Sequence, residues 1–372
     1  MNHRLKIILD INSSIPYFRE GHVTGVGRST LELIEAMKSF IPQEFEVVLF
    51  SQNTRGSKYP NPEKLRYCHF YLPNRRRIKM ISNKLKLKKL LIGYDLIHIP
   101  HNTDVTEDLK NTIYTIHDLI VYRYPEMWGL TDEERLEHKR IAKGCRHIIT
   151  CSEASKNDII HFWGVPANKV SVIPWGINRI RFYPNSDQLV LKKYGITKRY
   201  YFCCSCNHPR KNLSLLLLAF EKYLKAGGDM QLVLLSPGEK ELEPYDSLID
   251  CGNIIVVRDI SDTDLTALYT HAHASIMVSL YEGFGLPILE SLACRTQVLC
   301  ANNSCFPEVG GDIIKYFDEL TDSCVAKTML EFASIPKEQM LDIDLLEKHL
   351  AKFTWDNCAR QYFKIYERLL KK

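Results

Sequence analysis

Two glutamates eight positions apart enclose a pair of glycines and a proline in Ser279-Leu-Tyr-Glu282-Gly283-Phe284-Gly285-Leu286-Pro287-Ile-Leu-Glu290-Ser291. Glycines let backbone N–H groups come close to a ligand, and Pro287 suits the first turn of a helix, where its missing donor costs little. The free N–H groups and partial positive charge at such a helix start make a ready site for phosphate or diphosphate. Glu282 at the loop entry and Glu290 about one turn inside the helix could then address different parts of one elongated ligand. Either carboxylate can accept hydrogen bonds from vicinal hydroxyls, as on ribose or another sugar ring. The plainer alternative is an ordinary loop with two solvated glutamates.

Two further loops carry chemistry-bearing residues. Cys206-Asn-His-Pro-Arg210-Lys211-Asn212 follows a strand-like run. Arg210 could hold a diphosphate by a two-pronged contact and Lys211 as a point charge, stabilising a leaving group; a solvated pair is the alternative. Cys203-x-x-Cys206 has no second pair near it, so strand thiols fit better than zinc. Thr24-Gly25-Val-Gly27-Arg28 precedes a helix expected over Ser29–Phe40, with two of the three glycines of the dinucleotide fingerprint. In Thr115-Ile-His117-Asp118, His117 could hydrogen-bond a substrate hydroxyl, and Asp118 could orient a group or accept a proton. A structural role is the commoner fate of such a pair.

These loops need strands to position them. At ~150 residues per domain, 372 residues suggest two domains. Short apolar runs alternate with helical patterns throughout, as in βα units on parallel sheets covered on both faces. The first series is Lys6–Ile11, Glu46–Phe50, Asp95–Ile99, Thr112–Ile116, His147–Cys151 and Val170–Ile173. After a polar stretch comes a second: Tyr200–Cys204, Gln231–Leu235, Asn253–Val257, Ala274–Val278, Gln297–Cys300 and Ile313–Tyr316. The expected architecture is α/β, with two doubly wound Rossmann-like domains over residues 1–177 and 178–352. Ligands of such sheets bind beyond the carboxyl ends of the strands, where all three loops fall.

A formal charge of +5 is too mild and dispersed to suggest nucleic acid as a partner. The twelve cysteines are scattered, often in apolar runs, and read as reduced, buried thiols. No run approaches the ~18 apolar residues of a membrane span, and the start has no signal-peptide pattern; the expectation is a cytoplasmic protein. Residues 75–91 mix eight cations with apolar side chains. They suit either a helix drawn to an anionic membrane surface or a solvated helix packed on its domain.

Taken in order, these pieces resemble the retaining glycosyltransferases of family four. The resemblance extends through Cys151-Ser-Glu-Ala-Ser-Lys156, Val172-Ile-Pro-Trp-Gly-Ile-Asn178, Asp264-Leu-Thr-Ala-Leu-Tyr269, Pro307-Glu-Val-Gly-Gly311 and Phe353-Thr-Trp355, nearly the whole chain. Its most specific part is the E-x7-E segment from Glu282 to Glu290. The family implies the GT-B fold and a C-terminal helix, over about residues 353–372, that crosses back to the N-terminal domain. It implies that Glu290 holds the ribose hydroxyls of a nucleotide, that Glu282 contacts the transferred sugar, and that the amides of Gly283, Phe284, Gly285 and Leu286 meet sugar and diphosphate.

The same resemblance has Arg210 and Lys211 stabilise the departing diphosphate with no metal or other cofactor. It has His117 touch the donor sugar, and Gly25 and Gly27 line the site beside phosphate and acceptor. Retention in the family is explained by attack from the leaving-group face, the diphosphate taking the acceptor's proton. One departure stands out: many relatives carry an arginine four or five residues before the lysine, where Ser205 and Cys206 stand here. Loose similarity to mannosyltransferases points to mannose from GDP-mannose, moved to a glycan or lipid-linked oligosaccharide of a bacterial surface polysaccharide. A nucleotide-sugar epimerase or a phosphorylase on the same scaffold, or a silent binding protein, are the competing readings; an oxidoreductase lacks the full glycine fingerprint.

Overall fold

The structure, a computed structural model, describes residues 4–14, 25–52, 65–71, 87–101, 108–204 and 206–371. It divides into two units, one formed by Met1–Gly176 with Thr354–Lys372 and the other by Ile177–Phe353.

Among the described residues, the N-terminal unit holds seven strands: β1 (Leu5–Asp10), β2 (Phe45–Gln52), β3 (Arg66–Phe70), β4 (Leu96–Ile99), β5 (Thr112–Thr115), β6 (His147–Thr150) and β7 (Val170–Val172). They form one parallel sheet in the order β3-β2-β1-β4-β5-β6-β7. Ile8, Val48, Ile97, Tyr114 and Ile148 are essentially sealed from solvent, as both-face coverage of continuous apolar strands requires. Six strands lie where their apolar runs predict. The seventh, β3, has no such signal: Arg-Tyr-Cys-His-Phe carries no aliphatic run, because an edge strand half-open to solvent does not need one.

One helix begins earlier than expected, at Gly25 rather than Ser29, so Gly25 and Gly27 occupy its first turn instead of a loop before it. Gly25 is exposed and Gly27 buried, and the Gly27 carbonyl accepts from Ser14 Oγ at 3.2 Å.

The helix Trp355–Leu370 packs on Gly25–Ser39 within the same unit. Phe363 sets its ring 5.5 Å from that of Phe45, and Cys358, Tyr362 and Tyr366 are buried with it. Each large apolar side chain so covered contributes on the order of 2 kcal/mol. Beneath them His98 ties the helix to the sheet, Nδ1 meeting Tyr366 Oη at 2.6 Å and Nε2 meeting Thr115 Oγ1 at 2.8 Å. Burial, then the neighbouring His101 and His117, lowers the His98 imidazole to about 3, so it stays neutral and serves as a two-ended hydrogen-bonding strut.

The chain enters this helix against Gly176. A Cβ there would stand 2.2 Å from the backbone nitrogen of Trp355 and 2.5 Å from the Thr354 carbonyl carbon. Backbone cannot rotate aside as a side chain can. Gly176→Ala should therefore destabilise by about 3 kcal/mol; a denaturant midpoint equal to that of the unaltered chain would show that the segment yields more easily than its packing implies.

The second unit holds β8 (Tyr200–Cys203), β9 (Gln231–Leu235), β10 (Ile254–Val257), β11 (Ala274–Met277), β12 (Gln297–Cys300) and β13 (Lys315–Tyr316). Its parallel order is β10-β9-β8-β11-β12-β13. Both sheets are wound outward in two directions from a central pair, β1/β4 in one unit and β8/β11 in the other. Such reversals are where open α/β sheets take ligands.

Segment 75–91 falls largely on residues 72–86, which lie outside the described residues; its last turn, Leu87–Leu91, is a helix with Leu90 and Leu91 strongly exposed. Among the described residues, no helix is long and apolar enough to cross a membrane.

Candidate active site

Beyond β8, Pro209–Lys211 forms a single tight turn. His208 opens it, its Nδ1 accepting from the Arg210 backbone N–H at 3.3 Å, and burial followed by the Arg210 and Lys211 charges lowers that imidazole below its ordinary value. Asn212 closes the turn at φ 57° and starts the helix Leu213–Lys225. Two cations are thereby presented side by side. The turn is stitched to the loop after β11: the Arg210 carbonyl accepts from the Leu280 N–H at 2.8 Å, and Arg210 Nη1 donates to the Tyr281 carbonyl at 3.4 Å. The switch-point strands thus deliver their two loops as one piece.

Glu282 joins them. Its Oε1 lies 2.7 Å from Lys211 Nζ, and its Oε2 pairs with Arg210 Nη1. Burial alone would raise this carboxyl, but the charges of Lys211 and Arg210 together outweigh it and hold Glu282 below its ordinary value. The result is a buried anion bridging two cations. Each of the three would be expensive to bury alone. The loop behind is fixed by Ser304, whose Oγ accepts from the Glu282 N–H at 3.2 Å, and by Asn303 Nδ2, which donates to the Ser279 carbonyl at 3.1 Å.

Gly285 then turns into the helix Leu286–Ala293 at φ 90°, and a Cβ there would stand 3.1 Å from the Phe306 ring. Both backbone and space demand glycine. Pro287 occupies the first turn, as expected. Phe284 packs its ring against that of Phe353 at 6.1 Å. Glu290 is 6% exposed and accepts from Tyr269 Oη at 3.0 Å. Tyr269 stands on the helix Asp262–His271, 21 residues away in sequence, and no periodicity links the two. It lies in a stretch that carried the family resemblance, where nothing gave it a role. Tyr269→Phe should weaken nucleotide binding by roughly tenfold with little change in thermal midpoint; unchanged affinity in calorimetry would remove Tyr269 from the site.

In the N-terminal unit, His117 follows β5 and is 5% exposed. Its Nε2 lies 3.0 Å from the Pro100 carbonyl, which can only accept, so Nε2 carries the proton. Burial, against the pull of that carbonyl and with help from His101, lowers the imidazole to about 4. His117 is therefore neutral, with Nδ1 an acceptor suited to a hydroxyl. Asp118 is engaged locally, its Oδ1 accepting from the Ile120 N–H at 3.2 Å at the start of the helix Ile120–Arg123.

The structure thus joins Arg210, Lys211 and Glu282 directly, with Gly283, Gly285, Leu286 and Glu290 on the same loop and helix. His117, Asp118, Gly25 and Gly27 belong to the other unit. Cys203 and Cys206 lie with their sulfurs 3.3 Å apart, and among the described residues no group of three or more His, Cys, Asp and Glu side chains is arranged to hold a metal. Burial and then the charge on Glu290 push the Cys204 thiol up to about 12.

Two family models match the chain: Glycosyltransferase Family 4 over residues 23–181 and Glycosyl transferases group 1 over residues 191–315. The O-antigen chain mannosyltransferase B of Escherichia coli is 26% identical over 378 aligned residues, covering 93% of this chain and 97% of the relative. The O-antigen chain mannosyltransferase RfbU of Salmonella typhimurium is 24% identical, covering 79% of this chain and 84% of the relative. Among solved structures, a sucrose-phosphate synthase from Thermosynechococcus elongatus superposes with a TM-score of 0.77 at 18% identity, covering 99% of this chain and 100% of that one. The Anabaena protein Alr3699/HepE, solved with UDP and glucose, gives 0.69 at 14% identity over 98% of this chain and 100% of its own.

Proposed function

The chain belongs to the glycosyltransferases, with a family 4 domain, a group 1 domain and the GT-B fold, and on that premise we propose that it moves mannose from GDP-mannose, with retention of configuration, to a glycan or lipid-linked oligosaccharide. The observation that carries this reading is the buried Glu282 carboxylate bridging Arg210 and Lys211 at the switch point of the second sheet. A diphosphate offers the same charge as that carboxylate and more of it, so it is a fitting partner for the two cations. The O-antigen mannosyltransferases among the relatives support the choice of sugar and acceptor.

As the anomeric C–O bond breaks, negative charge grows on the diphosphate and positive charge on the sugar. Arg210 and Lys211 stabilise the first, in place of a metal ion, and the start of the helix Leu286–Ala293 adds to them. Glu290 receives ribose hydroxyls and Glu282 receives hydroxyls of the transferred sugar, while the neutral His117 keeps an acceptor nitrogen in the N-terminal unit. The acceptor oxygen attacks on the leaving-group face and passes its proton to the diphosphate, so the configuration is kept. The exposed Leu90 and Leu91 beside the exposed Lys89 support a peripheral hold on an anionic membrane, where a lipid-linked acceptor resides.

Calorimetry with GDP, UDP, ADP and CDP should give GDP the tightest binding, undiminished by EDTA. Incubation with GDP-mannose and a mannose-terminated acceptor should yield an α-linked product by NMR. A β-linked product would overturn retention, and preference for UDP would replace the donor. Failure to float with anionic liposomes would dismiss the membrane hold.

A further inference from the structure

Backbone strain in the second unit gathers along one edge of its sheet. Among the described residues, five that are not glycine have positive φ, and four of them, Asn212, Ser236, Asp259 and Ser304, follow the carboxyl ends of β8, β9, β10 and β12. A left-handed backbone is costly for a residue with a Cβ, and such strain collects where position matters to function. Asparagine and aspartate tolerate it best, so a serine at φ 47° is the more telling choice.

Ser304 lies in a turn closed by the Phe306 N–H, which donates to the Asn303 carbonyl at 3.1 Å. Besides taking the Glu282 N–H, its Oγ donates to Asn303 Oδ1 at 3.3 Å, and Asn303 is the residue that reaches the Ser279 carbonyl. The sealed Phe306 ring stands against Gly285. The turn after β12 thus meets the loop after β11 at Ser279, Glu282 and Gly285. Glycine would take the Ser304 backbone freely but brings no hydroxyl. The strained residue is the one that supplies the bond.

We propose that Ser304 is a positioning residue for the transfer reaction: at the expense of its own backbone it holds the Glu282 main chain, and so fixes where the Glu282 carboxylate stands between Arg210 and Lys211. It acts through Glu282 and needs no contact with a ligand. A displacement of about 1 Å in such a group can cost on the order of 100-fold in rate. This assignment rests on the glycosyl-transfer reading, and it brings the turn after β12 into a site otherwise built from the loops after β8 and β11.

Ser304→Ala and Ser304→Gly separate position from stability. Both remove the acceptor of the Glu282 N–H, but alanine keeps the strain whereas glycine relieves it. With GDP-mannose and a mannose-terminated acceptor, kcat should fall about 10- to 30-fold in both variants, by amounts within about threefold of each other. The thermal midpoint should drop by roughly 4 °C in Ser304→Ala and stay within about 2 °C of the unaltered chain in Ser304→Gly. GDP affinity by calorimetry should stay within about twofold in both, because Arg210, Lys211, Glu282 and Glu290 are all retained. Undiminished kcat in Ser304→Gly would overturn the proposal while leaving the glycosyl-transfer reading intact. So would a loss of turnover that follows the thermal midpoint, large for alanine and small for glycine, which marks a structural brace. If the unaltered chain bound GDP but transferred sugar to no acceptor, the glycosyl-transfer reading would fall first, and this assignment with it.

Discussion

Lys211→Ala should lower turnover by roughly two to three orders of magnitude, with a circular dichroism spectrum and thermal midpoint near those of the unaltered chain. The size of the effect follows from where Lys211 stands. Its ammonium is about nine-tenths buried and 2.7 Å from Glu282 Oε1, so its charge acts through little water on whatever anion replaces or joins that carboxylate. A leaving diphosphate gains charge only as the glycosidic bond breaks, and an interaction that strengthens in the transition state appears in kcat rather than KM. Lys211→Arg should recover part of the rate, since charge is kept but the compact ammonium is not. Turnover of Lys211→Ala within about threefold of the native rate would sink the assignment.

Glu282→Gln should produce an opposed pair of effects. Transfer should fall about 100-fold, because a hydrogen-bonding carboxylate beside the sugar is lost. Binding of free GDP should nevertheless tighten by roughly three- to tenfold, because Arg210 and Lys211 lose the anion that neutralises them and the incoming diphosphate no longer meets a like charge. The tightening should be greatest at low salt and fade as ionic strength rises. Weaker GDP binding in this variant would mean that the ion-paired cluster of Glu282, Arg210 and Lys211 is a brace for the loop and nothing more. Acid pH offers a second view of the same pairing. With its folded value depressed, Glu282 contributes stability that is present above the ordinary glutamate range and lost as pH falls through the lower folded value.

Much of this site is legible in one dimension because the parts that matter are consecutive. Glu282, Gly285, Pro287 and Glu290 sit on one loop and the helix it opens, and their types alone state a glycine-dependent turn, a helix start and two carboxylates. The adjacent Arg210 and Lys211 are equally plain as a pair of cations. That they share Glu282 is not legible, since it depends on β8 and β11 becoming neighbours although β9 and β10 lie between them in the chain. Tyr269 behind Glu290 and Ser304 behind Glu282 escape notice for the same reason. Continuous apolar strands were readable because burial on both faces leaves no other composition open to them. β3 was not, because an edge strand half in water is under no such constraint. The earlier start of the helix at Gly25 is not legible because glycine is a poor helix former, and a first turn tolerates it better than an interior does.

The route of the polypeptide has a consequence for synthesis. The helix Trp355–Leu370 fills the flank of the N-terminal unit with Tyr362, Phe363 and Tyr366, yet a ribosome makes those residues only after all of Ile177–Phe353. The unit translated first is therefore the last to be finished, waiting with its Gly25–Ser39 flank uncovered while its successor can already fold. Nascent chains stalled before Thr354 should expose that flank to chaperones.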